Sequence, residues 1–123
     1  MKYLSIKRGT FMCFNNDIGT ELDARITLAG KRFLQWGPQG LLDERVCHDE
    51  SQLPPGWVLA YDLDLVVGQE SYRLTIYDGM VVRDFKPYLM ELASRNMRVS
   101  DVVTHITIIS QPGSMPGLQF RCT

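Results

Sequence analysis

Apolar residues fall on every second position in several stretches of this chain, the spacing of strands that bury one face. Leu22, Ala24, Ile26 and Leu28 alternate with Asp23, Arg25 and Thr27. The run continues through Ala29-Gly30, a bulge or bend, into Lys31-Arg32-Phe33-Leu34-Gln35-Trp36. One long bent strand is predicted. After the Pro54-Pro55-Gly56 turn, Trp57, Leu59, Tyr61, Leu63 and Leu65 alternate with Val58, Ala60, Asp62 and Asp64. Gly68-Gln69-Glu70 then turns the chain into residues 71–77, with Tyr72, Leu74 and Ile76 on one face and Arg73, Thr75 and Tyr77 on the other. The two runs form a hairpin closed by Asp78-Gly79.

One helix interrupts the strands. Phe85, Leu89, Leu92 and Met97, with Tyr88 and Ala93 beside them, follow the 3.6-residue period, while Lys86, Glu91, Ser94 and Arg95 face out. Asp84 is placed to cap its start, Pro87 fits the first turn, and the helix ends near Asn96. Residues 102–109 are β-branched at nearly every position, which predicts a central or covered strand. Residues 111–117 read as a loop and residues 118–122 as an edge strand. At the N-terminus, residues 3–7 and 10–14 form a small hairpin about Arg8-Gly9.

Leaving that hairpin aside, the order is three strands, a helix and two strands. This is the layout of the five-stranded OB barrel, whose helix plugs one end and whose bent first strand serves both halves of the sheet. A β-grasp or another α+β sheet yields the same string. The expected architecture is mainly β: one domain over residues 1–123, an OB-fold-like five-stranded barrel with one helix and an extra N-terminal hairpin.

Composition narrows the class. With 123 residues, 45% hydrophobic and 22% charged, the chain has enough apolar residues for one folded domain. No apolar run reaches the roughly 18 residues of a membrane span, and Lys2, Lys7 and Arg8 put charge where a signal core would be apolar. A cytoplasmic protein is expected. Cys13, Cys47 and Cys122 are odd in number and lack CxxC spacing, so reduced thiols are expected, with neither a disulfide framework nor a zinc cage.

Net charge is −1, without the overall basic excess of many nucleic-acid binders, but its distribution is uneven. Residues 1–36 hold six basic and three acidic groups, residues 37–70 one and seven, and residues 71–123 six and four. If the flanking thirds fold side by side they form one positive face, with the acidic middle turned away.

Four segments resemble small single-stranded DNA-binding proteins encoded by tailed bacteriophages. They are Tyr3-Leu4-Ser5-Ile6-Lys7-Arg8-Gly9-Thr10-Phe11, then Phe85-Lys86-Pro87-Tyr88-Leu89-Met90-Glu91-Leu92-Ala93-Ser94-Arg95-Asn96, Val102-Val103-Thr104-His105-Ile106-Thr107 and Gly117-Leu118-Gln119-Phe120. Such sequences often carry a middle stretch rich in Cys and Pro; here Pro54-Pro55 remains, with only Cys47-His48 beside it. The resemblance implies non-catalytic coating of DNA in phage replication or recombination, in the host cytoplasm. Implied partners are single-stranded DNA and replication proteins of host or phage, with no membrane; a homo-oligomer is compatible with it.

Binding a single strand requires rings for bases and cations for phosphates, interleaved along one track. Lys31, Arg32, Phe33 and Trp36 offer this on the first long strand, Arg73 and Tyr77 on the third, and Lys7 and Arg8 on the N-terminal hairpin. Arg73 and Tyr77 alternate opposite Leu74 and Ile76, so they are the leading contacts. Each candidate has a plainer alternative. Trp36, Trp57, Tyr61 and Phe120 fit core positions by alternation, Tyr72 shares the aliphatic face, and Lys7, Arg8, Lys31 and Arg32 fit a solvated edge. His105 reads as a hydrogen-bonded core histidine.

Cys47-His48-Asp49-Glu50 collects ligand types, but consecutive residues cannot converge on one ion. No G-x-S-x-G, GxxxxGK[ST], HExxH or Gly-rich dinucleotide turn occurs. Asp62 and Asp64 share a strand face and could hold Mg²⁺ only with a third carboxylate, so no enzyme, metal or cofactor is expected. The rival function is a small protein-interaction module, a phage inhibitor or adaptor that binds a host protein and no nucleic acid. The chain closes on Gln119-Phe120-Arg121-Cys122-Thr123 rather than an acidic tail, so tail-mediated recruitment of partners is not expected.

Overall fold

A computed structural model describes residues 1–110 and 116–123. The alternating runs become strands of a single sheet: β1 (Lys2–Lys7), β2 (Thr10–Cys13), β3 (Asn16–Gly19), β4 (Glu21–Gly37), β5 (Gly40–Val46), β6 (Val58–Val67), β7 (Glu70–Tyr77), β8 (Thr104–Ile109) and β9 (Gly117–Cys122). The strand order is β3-β2-β1-β7-β6-β4-β8-β9, with β5 paired to the second half of β4. Of the predicted loop 111–117, residues 111–115 lie outside the described residues.

Strand β4 is the hub. Its first part pairs with β8 from Glu21 to Ala24, its middle with β6, and its end with β5. The bulge falls between Leu28 and Gly30, as the Ala29-Gly30 step predicts. One extra residue there reverses which side chains point inward. Before it Leu22, Ala24 and Ile26 are buried; after it Phe33 faces the core, while Arg32 and Trp36 face out.

The sheet is open rather than closed into the expected barrel. Among the described residues no pairing joins β7 to β9; the free edge of β7 is taken by β1, in parallel, with Leu4 beside Leu74. The N-terminal segment is thus a three-stranded meander, more than the predicted hairpin, and β3 runs straight into β4.

Between β7 and β8 a wide π-type turn (Met80–Phe85) leads into helix α1 (Lys86–Ser94). Pro87 sits in the first turn as predicted, but Asp84 does not cap the helix. Its carboxylate instead accepts the Leu118 N–H at 2.9 Å and so covers the edge of β9. Phe85, Tyr88 and Leu92 pack the helix onto the sheet. Phe85 lies 5.1 Å from Phe120 and 6.1 Å from Tyr61, and Tyr88 stacks on Phe120 at 5.8 Å. The Tyr88 hydroxyl reaches buried Thr104 at 2.7 Å, which satisfies both polar groups within an apolar core. Among the described residues no helix is long and apolar enough to cross a membrane.

Candidate nucleic-acid interface

The outer face of β4, β6 and β7 is ruled by register. Asp62 stands across from Gly30 and Thr75, and Asp64 across from Thr27 and Arg73. Arg32 therefore grips Asp62 through two N–H groups, at 2.9 and 2.8 Å, with Thr75 donating to the same carboxylate at 2.7 Å and Glu44 of β5 accepting from Arg32 at 2.6 Å. Arg73 forms a second fork with Asp64 at 2.8 and 3.2 Å. The acidic middle third does not turn away from the basic flanks. It lies between them and neutralises Arg32 and Arg73 in place.

Lys31 points to the other side of β4. Its ammonium lies 5.2 Å from the centre of the Tyr61 ring and 3.0 Å from Glu50, which a short helical turn (Glu50–Gln52) presents to it. Glu50 also accepts from the Tyr61 hydroxyl at 2.8 Å and from Lys86 of α1. Burial alone would raise the Glu50 carboxyl, but the hydrogen bonds from Lys86, Lys31 and Tyr61 outweigh it and hold its pKa at about 2. Burial, then the bond to Glu50, pushes the Tyr61 phenol well above its ordinary value. Glu50 ties the β5–β6 connection to the body of the protein. The rest of its tetrad disperses: Cys47 is buried, His48 is exposed, and Asp49 caps Ser51. No group of three or more His, Cys, Asp or Glu side chains is placed to hold a metal among the described residues.

The remaining candidates divide. Phe33 is buried in the core, so it is not among the surface rings; the bulge turned it inward when it turned Trp36 outward. Trp36 is 45% exposed and lies 5.7 Å from half-buried Tyr77, the rings tilted at 43°. Lys7 and Arg8 are exposed and pair with no carboxylate among the described residues. The chain reversal at Arg8, in the left-handed region at φ 56°, holds them at the tip of the β1–β2 turn.

Three clefts follow one another along one rim of the sheet, each sharing lining residues with the next. Trp36, Val58, Tyr77 and Asp78 line a cleft of about 300 Å³. Tyr77 and Asp78 also wall a second cleft of about 180 Å³ that runs past Arg83 to Pro116. Pro116 in turn borders a third, of about 280 Å³, ending at Ser110, Gly9 and Arg8. A β-carbon at Gly117 would stand 2.9 Å from the Arg83 guanidinium, the end of a long side chain that can swing aside. The sequence reading missed Val58, Arg83 and Pro116. Arg83 was signalled only as a cation just past the Tyr77-Asp78-Gly79 turn. It is forked onto its chain neighbour Asp84 at 2.9 and 3.2 Å, with most of its side chain still in solvent.

A larger cleft, about 430 Å³, lies between Asp23, His105 and Arg121. His105 is bonded to Asp23 at 2.8 Å and faces Glu21 at 3.6 Å, so carboxylates dominate that wall. His105 is thus a strand-pairing residue at the sheet surface rather than in the core. Comparison with protein-family models, with curated proteins and with solved structures finds no match to this chain.

Proposed function

We propose that the protein binds single-stranded DNA without sequence preference, along the rim clefts that begin at Trp36 and Tyr77 and end at Arg8. The observation that carries this reading is exposed Trp36 beside half-buried Tyr77, in the first of three clefts that follow one another along the rim toward Arg83 and Arg8. Rings take bases by stacking, worth about 1–3 kcal/mol per base, while spaced guanidinium groups take phosphates. No reacting group is needed.

The strand order supports the same reading. β7-β6-β4-β8-β9, with the helix between β7 and β8, matches the strand order of an OB barrel. We read the fold as an opened OB barrel in which β1 occupies the edge that closure would use. OB domains bind oligonucleotides on their second and third strands and on the loops joining first to second and fourth to fifth strands. The clefts run from Trp36, at the base of the first such connection, over Tyr77 to Pro116, at the end of the other. The phage-type resemblance of the Arg8 and Phe85 segments agrees, and on it we extend the proposal to a role in phage replication or recombination in a host cytoplasm.

Titration of a Trp57→Phe variant with oligo-dT tests the proposal, because Trp36 is then the sole tryptophan. Its fluorescence is expected to be quenched on binding, and log affinity to fall linearly with log salt. Unquenched fluorescence with no gel shift at low salt refutes it. One observation favours the rival of a protein-binding module: strand β5 is exposed at every position, with Leu41, Leu42 and Val46 in solvent.

A further inference from the structure

Strand β5 is an edge of unusual openness. Its seven residues are all exposed, and it pairs with β4 on one side only. The other edges are short or covered: β3 has four residues, and β9 has its Leu118 N–H taken by Asp84. On β5 the Glu44 N–H finds no strand and is satisfied by the neighbouring Asp43 carboxylate at 2.8 Å. Leu42 and Val46 are about two-thirds exposed. Long apolar edges invite another strand unless charge or proline blocks them. This edge carries charge, but in an order that complements itself.

We infer that β5 is a docking edge for the β5 strand of a second copy of this chain, antiparallel about a two-fold axis at Glu44. A two-fold axis normal to an antiparallel pair must pass through a residue position, because facing side chains share one side of the sheet. Centred on Glu44, it sets Leu42 opposite the partner's Val46 and Asp43 opposite the partner's Arg45, each twice. Val46 lies on the face shared with Arg32 and Arg45 on the face shared with Phe33, while Leu42 sits at a β5 bulge, so that apolar meets apolar and opposite charges meet across the axis. Centring on Asp43 or Arg45 instead sets Leu42 or Val46 against Glu44. At the axis the two Glu44 carboxylates approach one another, and each is already held by its own Arg32 at 2.6 Å. Asp43 now lies 4.0 Å from Arg45 of its own strand and accepts the Glu44 N–H at 2.8 Å; it gives up both for Arg45 across the axis, as the Glu44 N–H turns to the partner strand. The edge lies outside the rim clefts and does not depend on nucleic-acid binding.

Sedimentation equilibrium of the full chain without nucleic acid, over a concentration series, tests the inference. The mass of the wild-type protein is expected to climb from 14.0 kDa toward twice that value. Arg45→Asp opposes two aspartates in each pair and is expected to hold the protein at 14.0 kDa throughout. Asp43→Arg with Arg45→Asp exchanges both signs and is expected to restore the doubled mass. Circular dichroism establishes that each variant is folded. Should Arg45→Asp unfold because Trp57 loses the guanidinium 4.6 Å above its ring, Val46→Lys makes the same test from the other face. A wild-type chain that stays monomeric, association untouched by these single changes, or a folded double exchange that stays monomeric overturns the proposal. So does a monomer that captures a different protein through this edge.

Discussion

The outer sheet face and the rim present the same kinds of side chain under opposite conditions. On the face, Arg32 and Arg73 are each forked onto an aspartate across the strand, and Thr75 and Glu44 complete the ladder. On the rim, Arg8 has no carboxylate partner among the described residues, whereas Arg83 is forked onto Asp84, next to it in the chain, at 2.9 and 3.2 Å and so counts with the held cations although most of its side chain is in solvent. A cation already held by two charge-assisted bonds offers a phosphate little, because binding must first break them. The face is therefore a structural ladder, and the rim, with Trp36 and an Arg8 unpaired among the described residues, is the place proposed for a polyanion. Counting basic residues along the chain cannot separate the two.

The largest test of this contrast sets Trp36→Ala against Arg32→Ala. The first is expected to weaken oligo-dT binding by about 1–3 kcal/mol, roughly 5- to 150-fold, with unfolding unchanged within about 0.5 kcal/mol. The second strips Asp62, whose side chain is only 14% exposed, of two donors. It is expected to cost about 2 kcal/mol in denaturant unfolding while leaving affinity within about twofold. The reverse pattern in these two assays would exchange the roles of face and rim.

Next in size is Glu50→Gln. The Glu50 carboxyl titrates lower in the folded protein than in the unfolded chain, so the stability it supplies is present above the ordinary carboxylate range. It is lost as pH falls from about 4.5 toward about 2. Unfolding of the wild type is expected to show this loss. The Gln variant should be weaker by about 2 kcal/mol at neutral pH and flatter across the acid window, with oligonucleotide affinity at pH 7 unchanged. Equal acid slopes in the two proteins would show that Glu50 is not the clasp the geometry makes it.

The smallest effect is the most pointed. Asp64→Asn leaves the shape of the ladder but removes the charge that occupies Arg73. If pairing is what silences the face, the salt dependence of binding should steepen by about one phosphate contact and affinity rise a few-fold at low salt. An unchanged slope would mean that Arg73 is out of reach of the strand whatever its partner.

Much of the fold could be read directly from the chain. Alternation located β4, β6 and β7 and their buried faces, because the two-residue period of a strand is a local property. The helix was legible through Phe85, Tyr88 and Leu92 for the same reason. β5 was not, since Leu41-Leu42 followed by Asp43-Glu44-Arg45 has no period; only the Gly37-Pro38-Gln39-Gly40 turn signalled it. β3 is polar, and nothing in its pattern marks a strand. At the candidate site, Trp36 was legible as a ring but not as an exposed one, and Lys31-Arg32 looked like one basic patch until the strand sent them to opposite sides.

Sequence alone determined the long alternating strands, where the longest of them bends, and that charge is segregated into thirds. Only the tertiary structure decided which charges remain available, because strand register brings Asp62 to Arg32 and Asp64 to Arg73 across tens of residues. It also decided that Trp36 stands outside and Phe33 inside, since one extra residue at the bulge reverses the faces of all that follows.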